Sequence, residues 1–199
     1  VDIQTYGPKF QNYKVSQIQK QINNDFEIAV EAILNCNGRL IVSGMGKSGL
    51  ISQKIASTMA STGTPAQFVH PGEAIHGDLG MISKKDILIM ISNSGETSEL
   101  KNIIQYANRN KILLIGIVSK KESILYKTSD IKLLIPKVIE AGGIVPTSST
   151  TAQLALGDSL AIATMKFKKF DKMDFKKLHP AGSLGAQLKT VEDIMIKGK

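Results

Sequence analysis

Five short apolar runs, at residues 39–43, 66–70, 86–91, 111–118 and 131–135, alternate along this chain with stretches of helical periodicity. No other feature of the sequence restricts the fold as much. A helix between successive strands implies crossover connections, which join parallel rather than antiparallel neighbours. Runs such as Ile87-Leu88-Ile89-Met90-Ile91 are apolar throughout, as expected of strands covered on both faces. The pattern predicts an α/β fold of three layers, α-β-α, built on a five-stranded parallel sheet. Helices are expected over 48–61, 98–109 and 150–168, with a shorter one near 122–129. Ahead of the sheet, Ile18, Ile22, Phe26, Ala29, Val30 and Ile33 recur at helical spacing. Residues 12–36 therefore read as one long amphipathic helix, stopped by Asn37-Gly38.

Composition narrows the class. A chain of 199 residues with 42% hydrophobic content suits one domain with a full core. No apolar run approaches the roughly 20 residues of a membrane span, and no signal-peptide pattern opens the chain. The lone Cys36 cannot form an internal disulfide and fits a reducing compartment, so a cytoplasmic location is expected. A net charge of +8 raises the question of nucleic acid, yet only Arg39 and Arg109 are arginines. The densest cluster, Lys166, Lys168, Lys169, Lys172, Lys176 and Lys177, is interleaved with Phe167, Phe170 and Phe175. It reads as a helix end whose phenylalanines face the core while the lysines face water. Neither a nucleic-acid nor a membrane partner is expected. Residues 1–189 read as the domain itself, and 190–199, with Val191-Glu192-Asp193-Ile194-Met195, as the start of a further region.

Ligands of open parallel sheets sit beyond the carboxyl ends of the strands, and three polar turns fall there. The first, Ser43-Gly44-Met45-Gly46-Lys47-Ser48-Gly49, satisfies the GxGxxG spacing of dinucleotide folds. Such a site also needs an acidic residue closing the next strand, whereas 66–70 ends in His70-Pro71-Gly72, with Glu73 only afterwards. A Walker loop lacks its upstream glycine. What remains is a tight turn presenting Gly46, Lys47 and Ser48 at a helix start, suited to a small phosphorylated ligand without a nucleotide cofactor.

The second turn, Ile91-Ser92-Asn93-Ser94-Gly95-Glu96-Thr97-Ser98-Glu99, joins an apolar strand to a helix. Unpaired N–H groups at a helix start favour an anion, and Ser92, Ser94, Thr97 and Ser98 add hydroxyl donors beside Asn93. Gly95 lets the backbone approach closely, and Glu99 places a carboxylate one helical turn on. An ordinary cap cluster would have the same composition. The third turn, Pro146-Thr147-Ser148-Ser149-Thr150-Thr151, carries five consecutive hydroxyls, more than one cap needs. Ser148, Ser149 and Thr150 are expected to form a second donor set, with Glu140 on the glycine-rich loop just upstream. The histidines are His70, His76 and His179. Together with Glu73 and Asp78 they lack tight metal spacing, so no metal is expected, His76 being the one candidate ligand among them.

SGMGKSG (43–49), STGTPAQFVHPGEAIHGDLGMI (61–82), ISNSGETSE (91–99), PTSSTTAQLALGDSLA (146–161) and HPAGSLG (179–185) together resemble the sugar isomerase (SIS) domain. More narrowly they resemble the arabinose 5-phosphate isomerases of the KpsF/GutQ/KdsD type. The resemblance implies a flavodoxin-like SIS fold and interconversion of D-ribulose 5-phosphate and D-arabinose 5-phosphate through an enediol, supplying Kdo for lipopolysaccharide or capsule. It implies catalytic roles for Lys47, Glu99, Glu140 and His179, and phosphosugar binding by Gly46, Ser48, His76, Ser92, Asn93, Ser94, Thr97, Ser148, Ser149 and Thr150. Either Glu99 or Glu140 would transfer the proton, with His179 serving ring opening or oxygen protonation, and Lys47 stabilising developing negative charge or holding the phosphate. It further implies a homo-oligomer, a tetramer with sites at subunit interfaces, CMP-Kdo as an inhibitory ligand, and CBS modules beginning near VEDIM. The connection from Glu140 to Pro146 is shorter than is usual in this family, and HPAG stands where HPGG is usual.

Overall fold

The computed structural model describes residues 23–179 and Met195. Five strands, β1 (Leu40–Gly44), β2 (Ala66–Phe68), β3 (Ile87–Ile91), β4 (Leu113–Val118) and β5 (Ile131–Leu134), pair in parallel in the order β2-β1-β3-β4-β5. All five residues of both β1 and β3 are buried. The helices are α1 (Asn24–Leu34), α2 (Gly46–Ser61), α3 (Pro71–Ala74), α4 (Leu100–Asn110), α5 (Ile124–Thr128), α6 (Ser148–Phe167) and α7 (Lys172–Leu178), with a 3₁₀ turn at Asp78–Met81.

The alternating strand side chains sort into two cores. Leu40, Val42, Ile87, Ile89, Ile115 and Ile117 meet Phe26 and Ile33 of α1, Ile55 and Met59 of α2, and Leu156 and Leu160 of α6. On the opposite face Ile41, Leu88, Met90 and Leu114 meet Leu100, Ile103, Ile104 and Ala107 of α4 and Leu125 of α5. Each fully buried aliphatic side chain contributes about 1.5–3 kcal/mol relative to exposure, so both layers hold their helices firmly. The helices α2 and α6 approach closely because Gly157 leaves room for Ile55; a Cβ there would overlap that side chain.

Element boundaries depart from expectation where a cap intervenes. The strand expected from 111 starts at Leu113 because Lys111 closes α4 in the left-handed region (φ 55°), and Ile112 N–H still bonds Ala107 O at 2.9 Å. The run 66–70 is a strand only to Phe68. His70 instead caps α3, its Nδ1 accepting the Gly72 N–H at 3.1 Å. The helix expected over 12–36 is present as Asn24–Leu34, and its earlier part lies outside the described residues, as does 190–199 apart from Met195.

The lysine–phenylalanine stretch corrects the expectation of a single helix end with core-facing rings. After Phe167 the chain turns and opens α7 with a capping box between Asp171 and Asp174. Phe167 is 71% exposed, and α7 buries none of its residues. No helix among the described residues is long and apolar enough to cross a membrane.

Candidate functional site

Gly44 of β1 and Ile91 of β3 are register partners, so the turns that follow them leave the sheet side by side. This is where the strand order reverses, the place at which open parallel sheets hold ligands. Gly44 and Gly49 of the first turn serve close packing. A Cβ on Gly49 would lie 2.7 Å from Gly44 O, which presses the first turn of α2 against the end of β1. No side chain caps α2, leaving its first N–H groups available beside exposed Lys47 and half-buried Ser48.

The second turn is braced from within and from behind. Ser92 Oγ accepts the Gly95 N–H at 3.0 Å and lies 3.1 Å from Thr97 Oγ1. Gly95 adopts φ +68° and sits against Ser123 and Val118, so both its conformation and its space exclude a side chain. Asn93 O accepts the Ser119 hydroxyl at 2.7 Å, and Gly95 O accepts the Leu125 N–H at 3.1 Å.

The third turn holds an anion of the chain's own. Residues 141–145 form a small hairpin, closed by an antiparallel bridge between Ala141 and Val145 and tipped by Gly142 and Gly143. Next to it, Glu140 Oε2 accepts the Thr147 N–H at 2.9 Å and the Ser149 N–H at 3.2 Å. The Glu140 carboxylate therefore caps α6. Burial acts to raise its pKa, but hydrogen bonds from the Ser149 side chain and from the Thr147, Ser149 and Ser148 backbone outweigh burial and leave it lowered. Ser148 is buried and donates its hydroxyl to Ile139 O at 2.9 Å. Of the donor set expected here, Ser149 and Thr150 line the cleft, while the Ser148 hydroxyl is turned to the backbone.

These turns enclose a cleft of about 340 Å³. Lys47 and Ser48 enter it from α2, Ser92, Asn93, Ser94 and Thr97 from the β3 turn, Glu140 and Ile144 from the hairpin region, and Ser149 and Thr150 from α6. Its size is at the lower end for small-molecule sites, roughly ten waters' worth of space. Glu140 and Lys47 are the titratable groups among the described residues that line it.

The other expected residues lie elsewhere. Glu99 does not line the cleft; its carboxylate accepts the Ser98 hydroxyl at 2.8 Å. Its own backbone N–H, then that hydroxyl, hold its pKa below the usual value. Gly46 opens α2 at φ +59° without lining the cleft, and His76 is exposed, its N–H bonded to Glu73 O. His179 ends α7, its ring stacked on Phe175 at 3.8 Å and its Nδ1 2.8 Å from Phe175 O. The helix α7 begins beyond the far end of α6, which runs 20 residues, about 30 Å, from the cleft. No group of three or more His, Cys, Asp or Glu among the described residues is arranged to hold a metal.

Two residues outside the expected set matter to the site. Thr147 sits between the hairpin and α6, and its position as N-cap of an apolar-rich helix is the signal that could have marked it. Glu96 accepts the Ile124 N–H at 2.8 Å and ties the second turn to α5. No periodicity reveals that link, since its partner lies 28 residues on.

A doubly wound parallel sheet, with a cleft at its switch point walled by two hydroxyl-rich helix starts, defines an α/β domain shaped for a small phosphorylated ligand. The chain belongs to the SIS domain family, which matches it over residues 33–163. It is 50% identical over 204 residues to arabinose 5-phosphate isomerase KdsD of Yersinia pestis, covering 100% of this chain and 62% of that protein. Arabinose 5-phosphate isomerase KdsD of Escherichia coli K12 is 46% identical over 187 residues, covering 92% of this chain and 57% of its own length. The chain thus spans less than two thirds of the curated relatives it matches. Among solved structures, an E. coli CFT073 protein in complex with arabinose 5-phosphate superposes with a TM-score of 0.80 at 38% identity, covering 86% of this chain and 94% of that one.

Proposed function

We propose that this chain is the isomerase domain of an enzyme that interconverts D-ribulose 5-phosphate and D-arabinose 5-phosphate. The observation that carries the reading is the convergence, in one cleft, of a lowered-pKa carboxylate, a lysine and a braced hydroxyl turn. The family and the names of the relatives point the same way.

In this reading the phosphate lies in the Ser92–Thr97 turn, where hydroxyls and N–H groups at a helix start favour an anion. The reacting carbons then reach Glu140. Its carboxylate takes a proton from C1 of the ketose, the C1–C2 double bond of an enediolate forms, and the carbonyl pair at C2 moves onto oxygen. The O1 proton passes to O2, and return of the carbon-bound proton from Glu140 to C2 leaves the aldehyde at C1 and a hydroxyl at C2. Lys47 offsets the negative charge that develops on oxygen between these steps. What favours Glu140 over Glu99 as the base is its place on the cleft wall.

His179 and His76 fit this reading as residues supplied to the site of a neighbouring subunit in a homo-oligomer, a tetramer by family resemblance. Ring opening of the aldose would then fall to an imidazole from across the interface. Supply of Kdo in the cytoplasm, inhibition by CMP-Kdo, and a CBS-type region after residue 189 belong to the same proposal. The test is direct assay of arabinose 5-phosphate formation from ribulose 5-phosphate, by this chain and by the full-length protein. Phosphosugar binding without product would replace the isomerase with a non-catalytic sugar-phosphate sensor; turnover only of another phosphosugar would replace the substrate.

A further inference from the structure

Thr147 occupies the N-cap position of α6, yet its hydroxyl makes no capping bond to the helix. The cap is Glu140 Oε2, which takes the Thr147 and Ser149 N–H groups. The hydroxyl is directed to the loop instead. Thr147 Oγ1 accepts the Ala141 N–H at 3.0 Å, lies 3.1 Å from Val145 O, and lies 3.4 Å from Glu140 Oε2. Ala141 and Val145 are the two residues of the bridge that closes the hairpin. One side chain therefore fastens both legs of the hairpin and touches the carboxylate beside it.

A hydroxyl has one proton to donate and two lone pairs. One lone pair is taken by Ala141. The proton has two acceptors within reach, Val145 O and Glu140 Oε2, and cannot serve both fully. When Glu140 is ionised, turning the proton toward it strengthens a charge-assisted contact. When Glu140 carries a proton, on the oxygen not held by the α6 amides, its charge is gone and the Thr147 proton turns to Val145 O, the nearer acceptor. The switch needs only rotation about the C–O bond. Lys47, from α2, is the other titratable group lining the cleft among the described residues.

We propose that Thr147 is a positioning residue for Glu140, buckling the neck of the 141–145 hairpin and rotating its hydroxyl proton between Val145 O and the carboxylate as Glu140 gains and loses the substrate proton. The inference rests on the reading of Glu140 as the isomerase base. It concerns a hydroxyl that does not itself line the cleft, so it predicts a turnover defect rather than a binding defect.

The experiment compares Thr147→Val, Thr147→Ala, Thr147→Ser and Glu140→Gln in steady-state conversion of ribulose 5-phosphate across pH. Thermal melts identify the variants that fold. Thr147→Val, or Thr147→Ala where the valine variant does not fold, should lower kcat roughly 10- to 100-fold with KM within about threefold. The acid limb of kcat/KM should move to higher pH, because the carboxylate loses a donor. Thr147→Ser should recover kcat and the limb to within about threefold of native. In the Glu140→Gln background, Thr147→Val should lower kcat no further. Native kcat and an unmoved limb in Thr147→Val, alongside an inactive Glu140→Gln, overturn the role of Thr147 alone. A defect in KM only, or one that serine does not rescue, also overturns it. Native kcat in Glu140→Gln overturns the assignment of the base itself.

Discussion

The Glu96 carboxylate accepts the Ile124 amide N–H at 2.8 Å, joining the turn after β3 to the first residue of α5. Within a turn rich in ligand-binding residue types, this carboxylate is a strut. It faces a helix start from outside, complementing the positive end of α5 while Ser123 caps the same helix at Tyr126 N–H. Glu96→Ala should therefore lower stability by about 0.5–1 kcal/mol, read from the urea midpoint, and raise KM a few-fold through a loosened turn. A loss of kcat with unchanged KM would place Glu96 in the chemistry instead.

Glu140→Gln keeps the volume and the acceptor toward Thr147 and Ser149 but removes the base. Its kcat should fall roughly 10²- to 10⁴-fold while KM stays within about tenfold. Glu99→Gln, off the cleft wall, should keep kcat within about tenfold. A larger effect at Glu99 than at Glu140 would reverse the assignment.

The lowered pKa of Glu140 also predicts a stability signature. A carboxyl whose pKa is depressed by folding contributes stability in full above the unfolded value, about 4.3. That contribution is lost as pH falls through the depressed folded value. Acid titrations of native and Glu140→Gln protein, monitored by denaturant midpoint, should converge below that range and separate above it. Curves that stay parallel throughout would show that the folded carboxylate gains nothing from its hydrogen bonds.

Gly95 is held at φ +68° with no room for a side chain. Gly95→Ala should cost about 2–4 kcal/mol, combining left-handed strain with overlap on Ser123 and Val118. Calorimetry would register the loss. A native melting temperature would mean the turn relaxes elsewhere at little cost.

Ser94→Ala should raise KM roughly tenfold with kcat near native, since its half-buried hydroxyl lines the cleft where the phosphate is proposed to sit. Its one bond among the described residues, from the Glu96 N–H, is long at 3.3 Å, so folding should change little. A melt shifted by several degrees with KM unchanged would make Ser94 a structural residue.

Periodicity carried the fold because burial imposes it: Leu100, Ile103, Ile104 and Ala107 are spaced for one helix face, and all four are buried. It carried less where caps and short elements rule. The helix α7 buries no residue, so it leaves no apolar stripe to read, and its capping box is its only local mark. The carboxylate of Glu140 and the amides of α6 meet seven to nine residues apart, through a hairpin with no apolar pattern. Hydroxyl richness at 147–151 was legible, but the same letters suit a bound phosphate and a bound carboxylate. Only the geometry tells them apart.

That geometry makes the two walls of the cleft unlike in charge. With Glu140 seated on the amides of α6, the α6 side opposes a second phosphate, while the Ser92–Thr97 side is the one proposed to take the first. A bisphosphorylated sugar of the same length would press one dianion against a fixed carboxylate across a cleft of about 340 Å³, whichever way round it entered. On the proposed placement of the phosphate, phosphosugars would be screened by how many phosphates they carry before stereochemistry distinguishes them.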